Sequence, residues 1–444
     1  MTEKIWLKSY PAGVPATIDP SRYASLSELA EQSFAKFADR NAYTQMGREL
    51  SFRQLDQASR EFGAWLQNHA GVRKGDRVAI MLPNVLQYPI ALFGALRAGG
   101  TVVNTNPLYT ARELEHQLQD SGAEVIVILE NFAHVLQEVI AKTPVKHVVV
   151  TSVGEMLGFP KGNIVDYVIR HRRKAVPAWH IPGAIRFREA LAAGRSATLA
   201  PVPLGHEDIA FLQYTGGTTG VSKGAMLTHR NMVANVLQSH AWVEGTFGST
   251  QPETTITALP LYHIFALTAN CLLFVMLGWQ NVLITNPRDL PALVAEMRKY
   301  PFMFFAGVNT LFNGLLNTPG FERIDFEPYR RMLSHQHRVF NAKDFGDQIK
   351  VSVSDVATGS TKIVNDGNTL DQWLNVYEYH RDNGKKRAEI DNLNVIAADP
   401  LRGLMLSMVF DKARSIMWLA SMIRGLRDRS GVPRSFSAAT GHRV

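Results

Sequence analysis

The sequence has very little cysteine and no apolar leader. Its single cysteine, Cys271, excludes an internal disulfide and favours a reducing compartment. Cys271 lies in the apolar run CLLFVML, which predicts a buried thiol rather than a nucleophile. The first residues, MTEKIWLKSYPAG, lack the apolar core of a secretory signal peptide. These absences argue against a disulfide-stabilised secreted protein.

Long hydrophobic runs are also missing. The apolar segment 264–278 has 15 residues and contains Thr268 and Asn270, whereas a membrane span needs about 20 residues. A second segment, 401–422, carries Arg402, Asp411, Lys412 and Arg414, charges that argue against crossing a bilayer. We therefore predict no transmembrane helix in either segment.

The net charge of +8 is concentrated in the last quarter of the chain. Residues 330–444 contain 18 Lys and Arg against 12 Asp and Glu, whereas residues 1–329 contain 29 against 27. Aromatic and basic residues are not combined there as in a nucleic-acid surface, so we predict a solvated face and no nucleic-acid partner. Within this region, residues 402–429 have apolar side chains at helical spacing. They predict an amphipathic helix packed on a neighbour, with a membrane-surface helix as the alternative.

Strands and helices alternate along most of the chain. Strands are predicted at 77–82, 101–104, 124–129 and 147–151, and helices at 26–37, 52–69, 88–98 and 111–121. Ser51 and Thr110 are expected to cap two of these helices. The alternation indicates an α/β domain with a mostly parallel sheet. Residues 153–205 carry several turn signals, which predict a surface excursion joining two subdomains.

The loop YTGGTTGVSKG at 214–224 is the strongest functional signal. Its glycines let the backbone bring N–H groups close to an anion, its threonines add hydroxyl donors, and Lys223 adds a mobile positive charge. The preceding residues predict a buried strand and the following GAMLTHRNM a helix, so we expect strand, phosphate-binding loop and helix in that order. Neither the Walker spacing GxxxxGK[ST] nor the dinucleotide spacing GxGxxG fits this loop. Its composition and its place between a strand and a helix nevertheless predict a protein that uses ATP.

Several segments, including this loop, resemble bacterial long-chain fatty acid–CoA ligases of the acyl-adenylate-forming, AMP-binding enzyme family. They are RVAIMLPNVLQYPIALFGALRAGGTVVNTNPLYTARELEHQLQDSGA (77–123), FLQYTGGTTGVSKGAMLTHRNM (211–232), ALPLYHIFALT (258–268), LLITNPRDLPALV (282–294) and GVNTLFNGLL (307–316). The resemblance covers about residues 5–326. It implies an α/β fold of layered parallel sheets flanked by helices, in a partial AMP-binding domain at 1–328. Residues 329–444 do not match, and we expect an unrelated, basic, mainly helical or irregular segment there.

The resemblance also implies a two-step reaction. A fatty acid carboxylate attacks the α-phosphate of ATP, which gives acyl-AMP and pyrophosphate, and the thiol of CoA then displaces AMP. Negative charge gathers on a crowded phosphate in the first step, so hydrogen-bond donors and Mg²⁺ must surround it. The resemblance further implies a cytoplasmic enzyme that meets fatty acids at the inner membrane, and it is compatible with a homodimer.

Individual residues take roles from the same resemblance. The phosphates of ATP would be held by Thr215, Gly216, Gly217, Thr218, Thr219, Gly220 and Lys223. Thr215 would also join the Mg²⁺ shell, and His263 would lie near the acyl carboxylate and the α-phosphate. Thr215, Lys223 and His263 are thus the expected catalytic residues. The acyl pocket would be lined by His263, Gly307, Val308 and Asn309.

Some segments of the family are not found after Phe326. These are the YGxTE segment with its Mg²⁺-binding glutamate, the TGD segment with its ribose-binding aspartate, and the C-terminal lid domain with its lysine. They leave an alternative function open, in which the chain is an inactive truncated or chimeric ligase that at most binds a nucleotide or acyl group. A third hypothesis, an adenylating enzyme for aryl or amino acids, fits the segments at 282–316 less well.

Overall fold

The computed structural model describes residues 7, 10, 13–215, 222–247, 253–324, 349–355, 360–363 and 393–397. The chain divides into two compact units. The larger unit is residues 13–286, and the smaller unit is residues 287–444 together with 1–12.

The larger unit alternates strands and helices as predicted. Its strands are β1 (Asn41–Gln45), β2 (Arg48–Ser51), β3 (Arg77–Met81), β4 (Thr101–Asn104), β5 (Val125–Leu129), β6 (His147–Thr151), β7 (Ile185–Arg186), β8 (Ile209–Thr215), β9 (Lys223–Thr228), β10 (Thr254–Thr257) and β11 (Gln280–Leu283). Its α-helices are α1 (Leu26–Lys36), α2 (Phe52–Asn68), α3 (Gln87–Arg97), α4 (Ala111–Ser121), α5 (Ala133–Val139), α6 (Lys161–Tyr167), α7 (Phe187–Arg195), α8 (His229–Phe247), α9 (Ile264–Ala266) and α10 (Leu273–Leu277). Two π-helical segments, Val168–Arg172 and Leu267–Leu272, continue α6 and join α9 to α10.

A seven-stranded sheet forms the centre of this unit, in the order β7-β6-β5-β3-β4-β8-β9. All neighbours are parallel except β8 and β9, which are antiparallel. Helical crossovers make parallel pairing possible and cover both faces of such a sheet. On β3, Val78 and Ile80 belong to one hydrophobic cluster, whereas Ala79 and Met81 belong to another. The sheet is therefore packed on both faces, which confirms the predicted α/β class.

A second sheet contains β10, β11, β1 and β2 in that order. Its pairs are parallel except for the β1–β2 hairpin. The two hairpin residues, Met46 and Gly47, have φ angles of 49° and 77°. Positive φ at both positions is typical of the type I′ turn, whose twist matches that of the flanking strands.

Helix starts follow the predicted caps. The Ser51 side chain accepts a hydrogen bond from the N–H of Gln54, and the Gln54 side chain accepts one from the N–H of Ser51. Thr110 and Glu113 make the same reciprocal pair at the start of α4. Both are capping boxes, which satisfy backbone donors that the helix itself leaves unpaired.

Residues 153–205 differ from the predicted surface excursion. Strand β7 pairs with β6 at the edge of the central sheet, and α7 packs on α2. Phe187, Ala190 and Leu191 of α7 are buried. Their helical spacing was the signal for a packed helix, but the surrounding prolines and charges obscured it.

The predicted burial of Cys271 is confirmed. Its thiol is fully buried and lies 3.1 Å from the Tyr43 hydroxyl. Burial raises the pKa of the Cys271 thiol to about 12, which removes the thiolate that a nucleophile needs.

Over the residues that the structure describes, no helix is long and apolar enough to cross a membrane.

The smaller unit contains α11 (Leu290–Lys299), β12 (Phe304–Ala306) and α12 (Asn309–Leu316). It also contains an antiparallel sheet with β13 (Ile349–Asp355) between β14 (Ser360–Ile363) and β15 (Leu393–Ala397). The other residues after 329, where a mainly helical or irregular segment is expected, lie outside the described residues. The sequence IKVSVSD of β13 alternates apolar and polar residues, which is the period of a strand. The amphipathic helix predicted at 402–429 lies outside the described residues.

Candidate functional site

The glycine-rich loop is the connection of a β-hairpin. Thr215 at the end of β8 pairs with Lys223 at the start of β9, and Tyr214 pairs with Gly224. The predicted order of strand, loop and helix is wrong at its last step, because β9 intervenes and α8 begins only at His229. Residues KGAMLT pair with β8 as an antiparallel strand, so the predicted helix begins only at HRNM.

Only the two ends of this loop lie in the described part of the chain. Thr215 and Lys223 are both exposed. The predicted phosphate-binding residues between them, Gly216, Gly217, Thr218, Thr219 and Gly220, lie outside the described residues.

Helix α4 holds both ends of the loop. Before the loop, the Tyr214 hydroxyl donates a 2.5 Å hydrogen bond to Oδ2 of Asp120. After it, Nε2 of His116 lies 3.1 Å from the carbonyl oxygen of Ser222. His116 and Asp120 are four residues apart and therefore project from the same side of α4. The Ser222 hydroxyl also donates to the carbonyl oxygen of Thr215 at 3.0 Å, so it closes the base of the hairpin.

The ring of Tyr214 packs closely against Gly224 of β9. Burial and the neighbouring Asp120 carboxylate raise the pKa of the Tyr214 hydroxyl, which therefore remains a donor. A Cβ atom on Gly224 would lie 3.0 Å from the Tyr214 ring. Glycine at position 224 thus lets the ring cover the strand next to Lys223.

His263 lies at the N-terminus of α9. Its Nδ1 accepts a 3.4 Å hydrogen bond from the backbone N–H of Phe265. The backbone N–H of His263 donates to the carbonyl of Pro260 at 3.0 Å. The side chain is exposed, and partial desolvation lowers the pKa of the imidazole below its usual value. In the neutral ring with Nδ1 as acceptor, Nε2 carries the proton and can donate it to an oxygen.

A buried polar network ties the His263 segment to β8. Nε2 of Gln213 donates to the carbonyl of Tyr262 at 3.1 Å, and Oε1 of Gln213 accepts from Nδ2 of Asn104 at 3.1 Å. The Tyr88 hydroxyl lies 2.8 Å from both Oδ1 of Asn104 and the carbonyl oxygen of Leu261. Gln213 immediately precedes Tyr214, so the strand that leads into the loop also fixes the residues before His263.

Asn84, three residues after the end of β3, supports the same segment. Its Nδ2 donates to the carbonyls of Thr257 and Leu259, both at 2.9 Å, and its Oδ1 accepts from the N–H of Leu261 at 2.9 Å. Sequence reasoning missed the buried network residues Asn84, Tyr88, Asn104 and Gln213. The available signal was an amide near the end of three buried strands, in MLPN, TVVN and FLQY.

Three of the four predicted acyl-pocket residues, Gly307, Val308 and Asn309, belong to the smaller unit, whereas His263 belongs to the larger unit. Gly307 is buried, and a Cβ atom there would lie 2.8 Å from the Phe312 ring. Val308 is 54% exposed, and the backbone of Asn309 begins α12. The larger unit thus brings Thr215, Lys223 and the His263 segment onto one framework, while Gly307, Val308 and Asn309 are placed within the smaller unit.

The described residues do not form a metal site. No group of three His, Cys, Asp or Glu side chains in that part of the chain is arranged to hold a metal ion. Thr215 supplies a single hydroxyl oxygen near the loop. One such oxygen does not fit a magnesium site, which uses carboxylates together with substrate phosphates.

Two mixed sheets with flanking helices, and a glycine-rich hairpin at the edge of one of them, define an α/β protein built like the N-terminal domain of adenylate-forming ligases. The chain belongs to the AMP-binding enzyme family, whose model matches residues 30–365. This match confirms the family inferred from the sequence motifs and extends beyond residue 326, where the motif resemblance ended.

Curated relatives support a narrower likeness. The chain is 57% identical over 324 residues to a long-chain-fatty-acid–CoA ligase of Escherichia coli O6:H1, a match that covers 73% of this chain and 58% of the relative. It is 34% identical over 338 residues to the enzyme of the same name from Bacillus subtilis, covering 75% of this chain and 59% of the relative. The chain therefore spans less than two thirds of the length of these relatives.

Solved structures agree on the fold. A long-chain-fatty-acid–CoA ligase from Archaeoglobus fulgidus matches with a TM-score of 0.55 and 25% identity, over 70% of this chain and 56% of that chain. An anthranilate CoA ligase in complex with anthranoyl-AMP matches with a TM-score of 0.58 and 20% identity, over 69% of this chain and 55% of that chain. The second likeness, at this identity, supports the fold alone.

Proposed function

We propose that this chain takes part in the ATP-dependent activation of long-chain fatty acids to acyl-CoA through an acyl-AMP intermediate. The observation that carries the proposal is the connection between the loop and His263. Gln213 lies two residues before Thr215 and bonds the carbonyl of the residue before His263. Strand β8 thus connects the loop that we propose binds phosphate with the segment that carries His263. The similarity to long-chain-fatty-acid–CoA ligases supplies the substrate class.

In this proposal each predicted site residue has a defined task. Thr215, Lys223 and the loop between them hold the β- and γ-phosphates of ATP. Lys223 supplies a mobile cation, and Nε2–H of His263 donates to an oxygen of the reacting carboxylate or of the α-phosphate. Gly307, Val308 and Asn309 line the acyl chain. We also propose residues 1–328 as the partial AMP-binding domain, with residues 329–444 as a separate segment.

The chemistry follows from charge. As the carboxylate oxygen attacks the α-phosphorus, negative charge increases on the phosphate oxygens and on the departing pyrophosphate. Fixed donors that point at this charge stabilise the transition state more than the ground state. The network of Tyr88, Asn104 and Gln213 fixes these donors in advance, because it holds the backbone before His263 and the strand before Thr215. In the second step the CoA thiol attacks the acyl carbon, and AMP leaves.

Mg²⁺ is part of the family expectation, with Thr215 as one ligand. Because the described residues do not fit a metal site, no step is assigned to the metal here. The proposed surroundings are the cytoplasm and, for the fatty acid, peripheral contact with the inner membrane.

The test is acyl-CoA formation from oleate, ATP and CoA by the purified 444-residue chain. Lys223→Ala should lower kcat/KM about 100-fold, the lower end of the usual range for removing one donor to a developing oxyanion. Lys36→Ala, an exposed lysine whose ammonium lies 4.9 Å from the Phe37 ring centroid, is the matched control and should keep wild-type turnover.

Direct ATP binding separates the proposal from its alternative. If the wild-type chain forms no acyl-CoA but binds ATP, and Lys223→Ala abolishes that binding, the chain is a nucleotide-binding remnant. If Lys223→Ala and Lys36→Ala behave alike in both assays, the role given to the loop is wrong.

A further inference from the structure

Exposed apolar side chains are concentrated in one short segment. Seven large apolar side chains are exposed in the described part of the chain, and four of them lie within ten consecutive positions. They are Phe159, Ile164, Tyr167 and Val168, which are 88%, 59%, 58% and 36% exposed. We call these four residues the apolar face. Single exposed apolar residues are ordinary, but a contiguous patch marks an interaction surface.

Helical geometry explains why the apolar face points outward. Val165 and Ile169, four residues apart, pack against the hydrophobic core of the larger unit. Ile164, Tyr167 and Val168 occupy other positions around the same helix, which runs through α6 into the π-helical segment. A helix that buries one apolar side normally exposes polar residues on the other. Here the exposed side carries Ile164, Tyr167 and Val168 in addition to the polar Lys161 and Asn163.

Basic residues directly follow the apolar face. The sequence from 170 to 174 is RHRRK. Arg170 is engaged with the buried Glu130, with Nη2 2.7 Å from Oε2, and the ring of His171 lies 4.8 Å from that of Tyr167. Arg172 and Lys174 are exposed. The carboxylate within the helix, Asp166, accepts hydrogen bonds from Ser152 and Gly154 and is directed toward its own unit.

We propose that the apolar face docks on the surface of a lipid bilayer that contains anionic lipid, with Arg172 and Lys174 at the headgroups. Aromatic and aliphatic side chains beside exposed cations are the composition of an interfacial helix. Anionic headgroups attract the cations, and the apolar side chains enter the boundary between headgroups and acyl chains. The proposal deepens the proposed function by naming the surface through which the chain would reach a membrane-dissolved fatty acid.

Sedimentation with vesicles tests this docking. The 444-residue chain is mixed with vesicles of phosphatidylcholine alone or of phosphatidylcholine with phosphatidylglycerol, over a range of salt concentrations. We expect binding to the mixed vesicles that weakens as salt rises, because salt screens exposed charges. Each exposed cation removed, in Arg172→Gln or Lys174→Gln, should weaken vesicle partitioning about fivefold. The double variant Phe159→Ser/Ile164→Ser should lose binding at every salt concentration.

Two controls keep the result specific. Leu108→Ser removes an apolar side chain that is 61% exposed elsewhere, and Arg230→Gln removes an exposed cation from α8. Both should bind vesicles like the wild type. Thermal melting followed by circular dichroism checks that each variant folds. If Phe159→Ser/Ile164→Ser does not fold, the charge variants Arg172→Gln and Lys174→Gln still test the proposal.

Three outcomes would overturn the docking proposal. They are no binding to mixed vesicles, equal binding to neutral vesicles, and a loss of binding in the controls as large as that in the variants. Turnover of detergent-dispersed oleate is measured in parallel and should be unchanged in the variants. Vesicle binding without any acyl-CoA formation would refute the proposed function but support the docking surface. Turnover without vesicle binding would refute the docking surface but support the proposed function.

Discussion

At the scale of single residues, burial controls the chemistry of several side chains. His229 is buried at the start of α8, where its Nδ1 accepts a 3.0 Å hydrogen bond from the N–H of Leu26. Leu26 is the first residue of α1, and that N–H has no acceptor within its own helix. Only a neutral imidazole can accept this bond. Desolvation lowers the pKa of His229 to about 4, which keeps the ring neutral.

The stability of the chain should therefore fall in mild acid. A histidine in the unfolded chain has a pKa near 6.5, so below that pH the unfolded state binds a proton that folded His229 does not. The contribution of neutral His229 to the free energy of unfolding, about 3 kcal/mol, is complete above about pH 6.5. It is lost as the pH falls from 6.5 toward 4. Urea unfolding between pH 4 and pH 7 measures this loss. His229→Asn keeps a hydrogen-bond acceptor but does not titrate. It should reduce the slope of the unfolding free energy against pH by the amount that corresponds to about one proton. An unchanged slope would contradict the role of His229.

Residues also differ in how far the sequence reveals them. The burial of Cys271 could be predicted because its own neighbours in the chain are apolar. The network around Gln213 could not, because Tyr88 meets the carbonyl of Leu261 across 173 positions of sequence. Local patterns carry no information about such a pair. The buried amides in the strands could have suggested a polar network, but not its partners.

At the scale of elements, local signals predicted helix starts well and strand pairing less well. Ser51 and Thr110 were predictable caps because their partners lie three residues away. The hairpin of β8 and β9 was missed because β9 is an edge strand with exposed Met226, which obscures the period of two. The contact between α2 and α7 was missed because it joins segments more than 100 residues apart.

This helix contact rests on Gly194. A Cβ atom at position 194 would lie 2.7 Å from the carbonyl carbon of Glu61 and 3.0 Å from the backbone nitrogen of Trp65. Backbone atoms cannot rotate away as a side chain can, so α7 would have to move off α2. Gly194→Ala should destabilise the chain by about 2 kcal/mol, the usual scale of overpacking, despite the better helix propensity of alanine. Urea unfolding at neutral pH measures the change.

Ala192→Ser is the matched control for Gly194→Ala. Ala192 is exposed on the same helix, so its substitution should change the free energy of unfolding by about 0.5 kcal/mol or less. Equal stability of Gly194→Ala and the wild type would show that α7 does not pack on α2 at this position.

At the scale of the whole larger unit, its two sheets are joined by buried amides. Gln45 of β1 accepts at Oε1 from the N–H of Leu86, which follows β3 in the central sheet. Asn84, also after β3, donates to the carbonyl of Thr257 at the end of β10. Parallel strands end at the same edge of a sheet, so these amides connect the two sheets where the loop and the His263 segment begin. The fold thus places its candidate site where its layers are joined.

Asn84→Leu should therefore affect both stability and the candidate site. Leucine has a similar size but leaves the carbonyls of Thr257 and Leu259 and the N–H of Leu261 without their partner. Each buried group left unpaired costs about 1–3 kcal/mol, so we expect a total loss of at least about 3 kcal/mol. Hydrogen exchange should accelerate at residues 258–263, measured by mass spectrometry, while β5 in the sheet centre stays protected.

Asn235→Ala is the control for Asn84→Leu, because Asn235 is an exposed asparagine on α8 whose loss should leave the exchange of residues 258–263 unchanged. Asn84→Asp removes the amide donors of Asn84 but keeps the size of its side chain, so it separates these two effects. A carboxylate at this position would face two carbonyl oxygens, so the same segment should exchange faster although the side chain keeps its size. If Asn84→Asp exchanged as slowly as the wild type, the amide donors would not be what joins the two sheets.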